Sequence, residues 1–272
     1  MCRQGKFQQI AISNWGLYQS CHKTASLETY SDYLAWLISR GQPGGCQASG
    51  QWHAPDVLII REKALGEAAY LALFQKVWEK SNSLILKEGE NPLPMKEVGN
   101  SLFPKKGENP LPMEEVGNSL FHQRAGNFLS DIEKRPVLIP HTYVSAARQV
   151  GADAIHLPFA LFQKYHGTGE LEGITHIGVS IHAPEEAARA QELGAAYVTA
   201  GHIFATGCKP GLAPRGIPFL EQVCASVSIP VYAIGGIHWQ NLSLIRQTKA
   251  SGACMMSEYM HIPYVQTGSN ML

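Results

Sequence analysis

Eight short runs rich in apolar and β-branched residues recur along the chain, and most are separated by a stretch with helical spacing. They are Gln9–Ile12, Val57–Ile60, Val137–Ile139, Ala154–Leu157, Ile177–Ser180, Tyr197–Ala200, Val231–Ile234 and Ala253–Met256. Apolar runs of this length, alternating with helical patterns, are the signature of βαβ units and a parallel sheet. Pro184–Leu193 shows the intervening pattern clearly: Pro184 opens the first turn, Glu185 and Glu186 follow it, and Gly194 stops the helix. Eight such steps over about 220 residues predict an α/β chain folded as a (β/α)8 TIM barrel rather than an open doubly wound sheet. Only sixteen residues, with Pro263 and Gly268, follow the last run. A short or missing closing helix is therefore expected, with residues 261–272 as a tail.

The count of eight depends on setting one segment aside. Residues 82–99 read NSLILKEGENPLPMKEVG and residues 100–117 read NSLFPKKGENPLPMEEVG, matching at fourteen of eighteen positions, and Asn118-Ser119-Leu120 begins a third copy. A repeat can mean a solenoid, but each unit must then carry an element able to stack. Here each unit carries Asn-Pro-Leu-Pro, and proline removes backbone donors and fixes φ. A surface insertion of low order is expected over residues 81–134, after the second helix, interrupting a single barrel domain that spans residues 8–260.

The balance of 22 Lys+Arg against 22 Asp+Glu gives no net charge, which removes the electrostatic footprint of non-specific nucleic-acid binding. The six cysteines are scattered without C-x-x-C or Cys/His metal spacing, so free thiols in a reducing compartment are expected. No apolar run approaches the roughly 20 residues of a membrane-spanning helix, and the first residues lack a signal peptide's apolar segment. A cytoplasmic protein with a small-molecule partner, and with neither nucleic acid nor membrane, is the expectation.

In a barrel of this kind the active site is built at the C-terminal ends of the strands. Arg61-Glu62-Lys63 follows the second run at once, and its two cations could hold phosphate, although a solvated charge cluster would spell the same residues. Gly235-Gly236 follows the seventh run and Met256-Ser257 the eighth. Backbone N–H groups at those two places form the phosphate site common in such barrels. The loop 201–216 holds Thr206, Lys209 and Arg215 among glycines, which suits a lid over an anion or a plain solvated loop. His182, just after the fifth run, stands where an imidazole could exchange a proton with substrate, or could merely cap a helix.

Several of these stretches together resemble one family. Residues 177–182 (IGVSIH), 201–209 (GHIFATGCK) with Gly211-Leu212 and Arg215-Gly216, and 229–237 (IPVYAIGGI) occur in the order and at the strand ends of the thiamine phosphate synthase superfamily. They are most similar to its thiazole tautomerase (TenI) branch. The resemblance runs from about Gln9 to Met260 without the insertion. It implies a thiamine-biosynthesis enzyme whose Gly235, Gly236 and Ser257 hold a substrate phosphate, with Met256 beside them and Thr206 and Lys209 in the loop as substrate-binding candidates and His182 as the acid/base. Arg61 and Lys63 match an Arg-x-Lys motif that binds pyrophosphate in the synthases, and here could bind a substrate carboxylate instead.

The branch turns on metal chemistry. The resemblance implies that a synthase joins a pyrimidine diphosphate to a thiazole phosphate with Mg²⁺ held by carboxylates, and Mg²⁺ requires hard oxygen donors. At the third strand the synthases place Asn-Asp where this chain has His141-Thr142, and His156-Leu-Pro-Phe-Ala-Leu161 offers no acid after the fourth. A tautomerase needs no metal, only a phosphate anchor and one proton-transfer group, so the expectation is a metal-independent isomerase without cofactor, acting on a phosphorylated thiazole. His141 is counted among the substrate-binding candidates. Two alternatives stand beside it: a Mg²⁺-dependent synthase that recruits another acid, Glu62 being the nearest, and a non-catalytic barrel that binds thiazole or thiamine phosphates. Superfamily members usually associate, so a homo-oligomer is expected.

Overall fold

A computed structural model describes residues 6–39, 53–87 and 137–264. Eight strands appear: β1 (Gln8–Ile12), β2 (Val57–Ile60), β3 (Val137–Pro140), β4 (Ala154–Pro158), β5 (His176–Ile181), β6 (Tyr197–Gly201), β7 (Val231–Ile234) and β8 (Gly252–Met255). Each covers one of the apolar runs. The helices between them are α1 (Trp15–Cys21), α2 (Leu27–Ser39), α3 (Glu67–Lys87), α4 (Val144–Gln149), α5 (Phe159–Tyr165), α6 (Pro184–Glu192), α7 (Gly216–Ser226), α8 (Leu242–Arg246) and α9 (Ser257–Met260). This is the (β/α)8 barrel the runs predict.

All strand pairs are parallel, in the order β3-β2-β1-β8-β7-β6-β5-β4, and the ring is completed by one bridge between His141 and His156. Side chains of alternating parity separate two cores. Ile10, Ile12, Val57, Ile59, Tyr197 and Tyr232 fill the barrel interior, whereas Ala11, Leu58, Ile60, Val179 and Val198 face the helices. Both faces of each strand are therefore covered, which is why these strands read as near-continuous apolar runs. Inside, Gly178 makes room for Tyr197, whose Cζ would lie 2.0 Å from any Cβ at that position. The Tyr197 and Tyr232 rings meet edge to face at 5.5 Å, an arrangement favoured by the aromatic quadrupole.

Three local features position the mouth of the barrel. Asn14 caps α1 by accepting from Leu17 N–H at 2.9 Å, and its Nδ2 donates to Met256 Sδ, joining the ends of β1 and β8. Aromatic residues Tyr18, Tyr30 and Tyr33 of α1 and α2 form a fully buried cluster behind β1. α9, directly after β8, is a single turn.

The boundary of the expected insertion moves. α3 continues through residue 87, with Ser81 buried and its hydroxyl donating to the Val77 carbonyl at 2.6 Å. Residues 81–87 therefore belong to the helix, because a serine can satisfy its hydroxyl against the preceding turn without breaking it. The rest of the repeat lies outside the described residues. No described helix is long and apolar enough to cross a membrane.

Candidate active site

The sequence-selected residues follow the C-terminal ends of the strands, but the structure divides them into two unlike groups, and one of them, His141, lies below the mouth. On one side, the turn after β7 is built by backbone. Gly235 and Gly236 have φ of 97° and 64°, the left-handed region that glycine enters without steric cost. A Cβ on Gly235 would stand 2.3 Å from His202 Cβ, and one on Gly236 would stand 2.3 Å from the Ala205 carbonyl oxygen. The double glycine is thus required twice, for its dihedrals and for the approach of the β6 loop. Asn241 holds the turn by donating Nδ2–H to the Gly236 carbonyl at 2.9 Å. Met256 and Ser257, half-buried, follow β8 beside it.

His182 stands exposed at the end of β5. Its backbone N–H donates to Glu186 Oε2 at 2.6 Å, and its Nδ1 lies 3.0 Å from the Gly201 carbonyl oxygen. A carbonyl can only accept, so this contact assigns the proton to Nδ1 and leaves the lone pair on Nε2. Below it, Ser180 Oγ is 2.7 Å from His156 Nε2 and accepts from Thr199 Oγ1 at 3.1 Å.

On the other side, Arg61 and Lys63 extend from β2. Burial lowers the Arg61 pKa, and Lys63 is lowered first by the Arg61 charge, then by burial and by Lys209. Cys208 opposes both shifts. The loop after β6, which lies opposite β2 in the ring, therefore brings Cys208 into the field of Arg61 and Lys63, and Lys209 into that of Lys63. Within that loop Thr206 organises a tight turn: its carbonyl accepts from Lys209 N–H at 3.2 Å and its hydroxyl from Cys208 N–H at 3.3 Å. Leu212 is 61% exposed on the outside of the loop.

His141 is only 7% exposed and lies deeper than the sequence suggests, its ring stacked on His156 with centroids 5.3 Å apart. Its Nδ1 hydrogen-bonds to Thr142 Oγ1, and Tyr70 OH accepts its backbone N–H at 2.7 Å. Burial, then the His156, Arg61 and Lys63 charges, push the His141 pKa well below the ordinary histidine value. Burial and Arg61 bring His156 down to about 3. Both rings are neutral at physiological pH.

Glu62 is not a spare acid. It is 5% exposed; Oε1 accepts from Ser13 Oγ at 2.5 Å and Tyr30 OH at 2.6 Å, and Oε2 accepts from Trp15 N–H at 2.8 Å. Ser13 Oγ in turn accepts from Arg61 N–H at 2.8 Å. Burial raises the carboxyl pKa while these bonds oppose the rise. Glu62 ties β1, α1 and α2 to β2, a role sequence reasoning missed because its three partners lie up to 49 positions away. Among the described residues, Glu62 is committed and His141-Thr142 stand at β3, so these positions do not offer the free carboxylate by which Mg²⁺ is usually held. Among the described residues no group of three or more His, Cys, Asp and Glu could hold a metal ion.

A left-handed double-glycine turn, a group of cations and an exposed histidine thus stand at the top of an eight-stranded parallel barrel, a (β/α)8 barrel with polar groups gathered at its C-terminal mouth. Comparison with known proteins narrows the class. Residues 133–259 match the family described as thiamine monophosphate synthase. A thiamine-phosphate synthase of Halalkalibacterium halodurans is 35% identical over 127 residues, covering 44% of this chain and 58% of that protein. A protein of Aquifex aeolicus named as a second thiamine-phosphate synthase is 31% identical over 126 residues, covering 46% of this chain and 67% of its own length. The solved thiamine phosphate pyrophosphorylase of Pyrococcus furiosus superposes with a TM-score of 0.54 at 18% identity, covering 95% of this chain and 89% of that one, and shows the same fold. The chain belongs to the thiamine monophosphate synthase family. It spans 58% and 60% of the length of the H. halodurans and Syntrophomonas wolfei relatives. The family match begins after β2, so Arg61 and Lys63 lie outside it.

Proposed function

We propose that this barrel is a metal-independent thiazole tautomerase, aromatising a dihydrothiazole carboxylate phosphate for thiamine biosynthesis. The observation that carries the reading is the Nδ1 contact of the exposed His182 with the Gly201 carbonyl, which in the neutral ring puts the lone pair on Nε2 and so supports a role as base. In the reaction Nε2 takes a proton from one ring carbon and the imidazolium returns a proton to another position of the conjugated system. Nothing is oxidised or lost; the gain is aromaticity. Such proton transfer by a positioned side chain contributes about 10²–10⁴-fold. The Gly235-Gly236 turn and Ser257 hold the phosphate, and Arg61, Lys63 and Lys209 hold the substrate carboxylate, while Thr206 shapes the loop that brings Lys209 in. The neutral His141–His156 stack forms the floor.

A second reading, thiamine-phosphate synthase, is favoured by the names of the relatives. A paired assay on the purified protein separates the two. Aromatisation in EDTA that disappears in His182→Ala supports the tautomerase; Mg²⁺-dependent thiamine phosphate formation from the two synthase substrates would replace it with the synthase.

A further inference from the structure

Glu258 presents an electrostatic puzzle. It is a largely buried carboxylate, 17% exposed, one residue from Ser257, on the side of the mouth where a phosphate dianion is to be held. An uncompensated anion there would oppose the ligand. The carboxylate is instead turned onto the neighbouring loop: Oε1 accepts from His238 Nδ1 at 2.7 Å and Oε2 from Trp239 N–H at 3.4 Å. His238 N–H donates to Asn241 Oδ1 at 2.8 Å, and Asn241 Nδ2 donates to the Gly236 carbonyl. The path runs from α9 through His238 and Asn241 to the left-handed glycine without a break.

The anchor has two halves, the turn after β7 and the turn after β8, separated by twenty residues of chain. We infer that the Glu258–His238 pair is a positioning device that locks these halves in register and so sets affinity for the phosphate group. Neither side chain is required to touch the ligand. This inference rests on the assignment of Gly235, Gly236 and Ser257 as the phosphate anchor, made above.

The test is calorimetric binding of inorganic phosphate to the full chain and its variants. Glu258→Ala and His238→Ala are each expected to weaken phosphate about tenfold, since a charge-assisted hydrogen bond is removed. The double variant should be no weaker than either single, because both changes break one link. Glu258→Gln keeps an acceptor for Nδ1 and should restore most of the lost affinity, which a general loss of packing would not. Single variants within twofold of the parent, additive losses in the double, or no recovery with Gln would each overturn the inference. A parent protein that binds no phosphate, and for which Gly236→Ala changes nothing, would overturn the anchor reading itself and the inference with it.

Discussion

The two sides of the mouth solve the problem of placing chemistry at a strand end by opposite means. Around β7 and β8 the site is made of backbone, in conformations only glycine enters freely, and side chains serve to hold it still. Around β2, β3 and β4 it is made of side chains, among them the stacked pair His141 and His156. A backbone site is indifferent to what the rest of an anionic substrate is. A side-chain site decides the reaction. On the proposed reading, one scaffold keeps its phosphate grip at β7 and β8 while side chains at the other strand ends, His182 after β5 among them, set the chemistry.

The sharpest break of this contrast is at His182. His182→Ala should lower the aromatisation rate about 10²–10⁴-fold with little change in phosphate affinity, measured by steady-state assay beside calorimetry. Gly236→Ala should do the reverse. With φ of 64° and a carbonyl oxygen 2.3 Å away, the new Cβ displaces the turn. We expect about 2–4 kcal/mol lost from folding, seen in denaturant melts, together with phosphate binding.

The histidine pair predicts a pH dependence whose sign follows from burial. The folded-state pKa of both rings lies below the unfolded value of about 6.5, so the unfolded chain takes up protons that the native state refuses. Stability is then constant above that value and falls as pH drops below it, by about 1.4 kcal/mol per pH unit for each ring. For His156 the fall continues toward its folded value of about 3. Thermal melts between pH 7 and pH 4.5 should show it, and His156→Gln should flatten the slope. The smallest effect distinguishes the two sides chemically: EDTA should leave aromatisation within about twofold of its untreated rate, because the proposed proton transfer uses no metal.

Most of the barrel was legible because strands covered on both faces are largely apolar, and runs as short as Val57–Ile60 or Val231–Ile234, repeated between helical stretches, read as buried strands. The glycine turn was legible for a related reason: few residues tolerate its dihedrals. What escaped was whatever depends on distant partners. Glu62 reads as a free acid between two cations until Ser13 and Tyr30 are seen to consume its oxygens. His141 reads as a mouth residue until Tyr70, 71 positions earlier, is found holding its amide from behind. The repeat drew the insertion boundary to Ser81, because nothing local distinguishes a helix's last two turns from the polar segment after them. His238 and Glu258, twenty residues apart, carried no signal at all.

One feature of the ring makes it unequal around its circumference. Seven strand junctions are ladders of three or more paired residues, while β3 and β4 meet through the single His141–His156 bridge and the Thr142 amide bond to the His156 carbonyl. The ring is a bracelet whose clasp is the histidine pair. Protonating either imidazole would strain the clasp before any ladder, so breathing of the native state should begin there. Amide hydrogens of Leu138–His141 and Ile155–Leu157 should then exchange with solvent faster at pH 5 than at pH 7 once intrinsic rates are divided out, while those of β7 stay protected. Acid would reach this protein first through the floor of its own site.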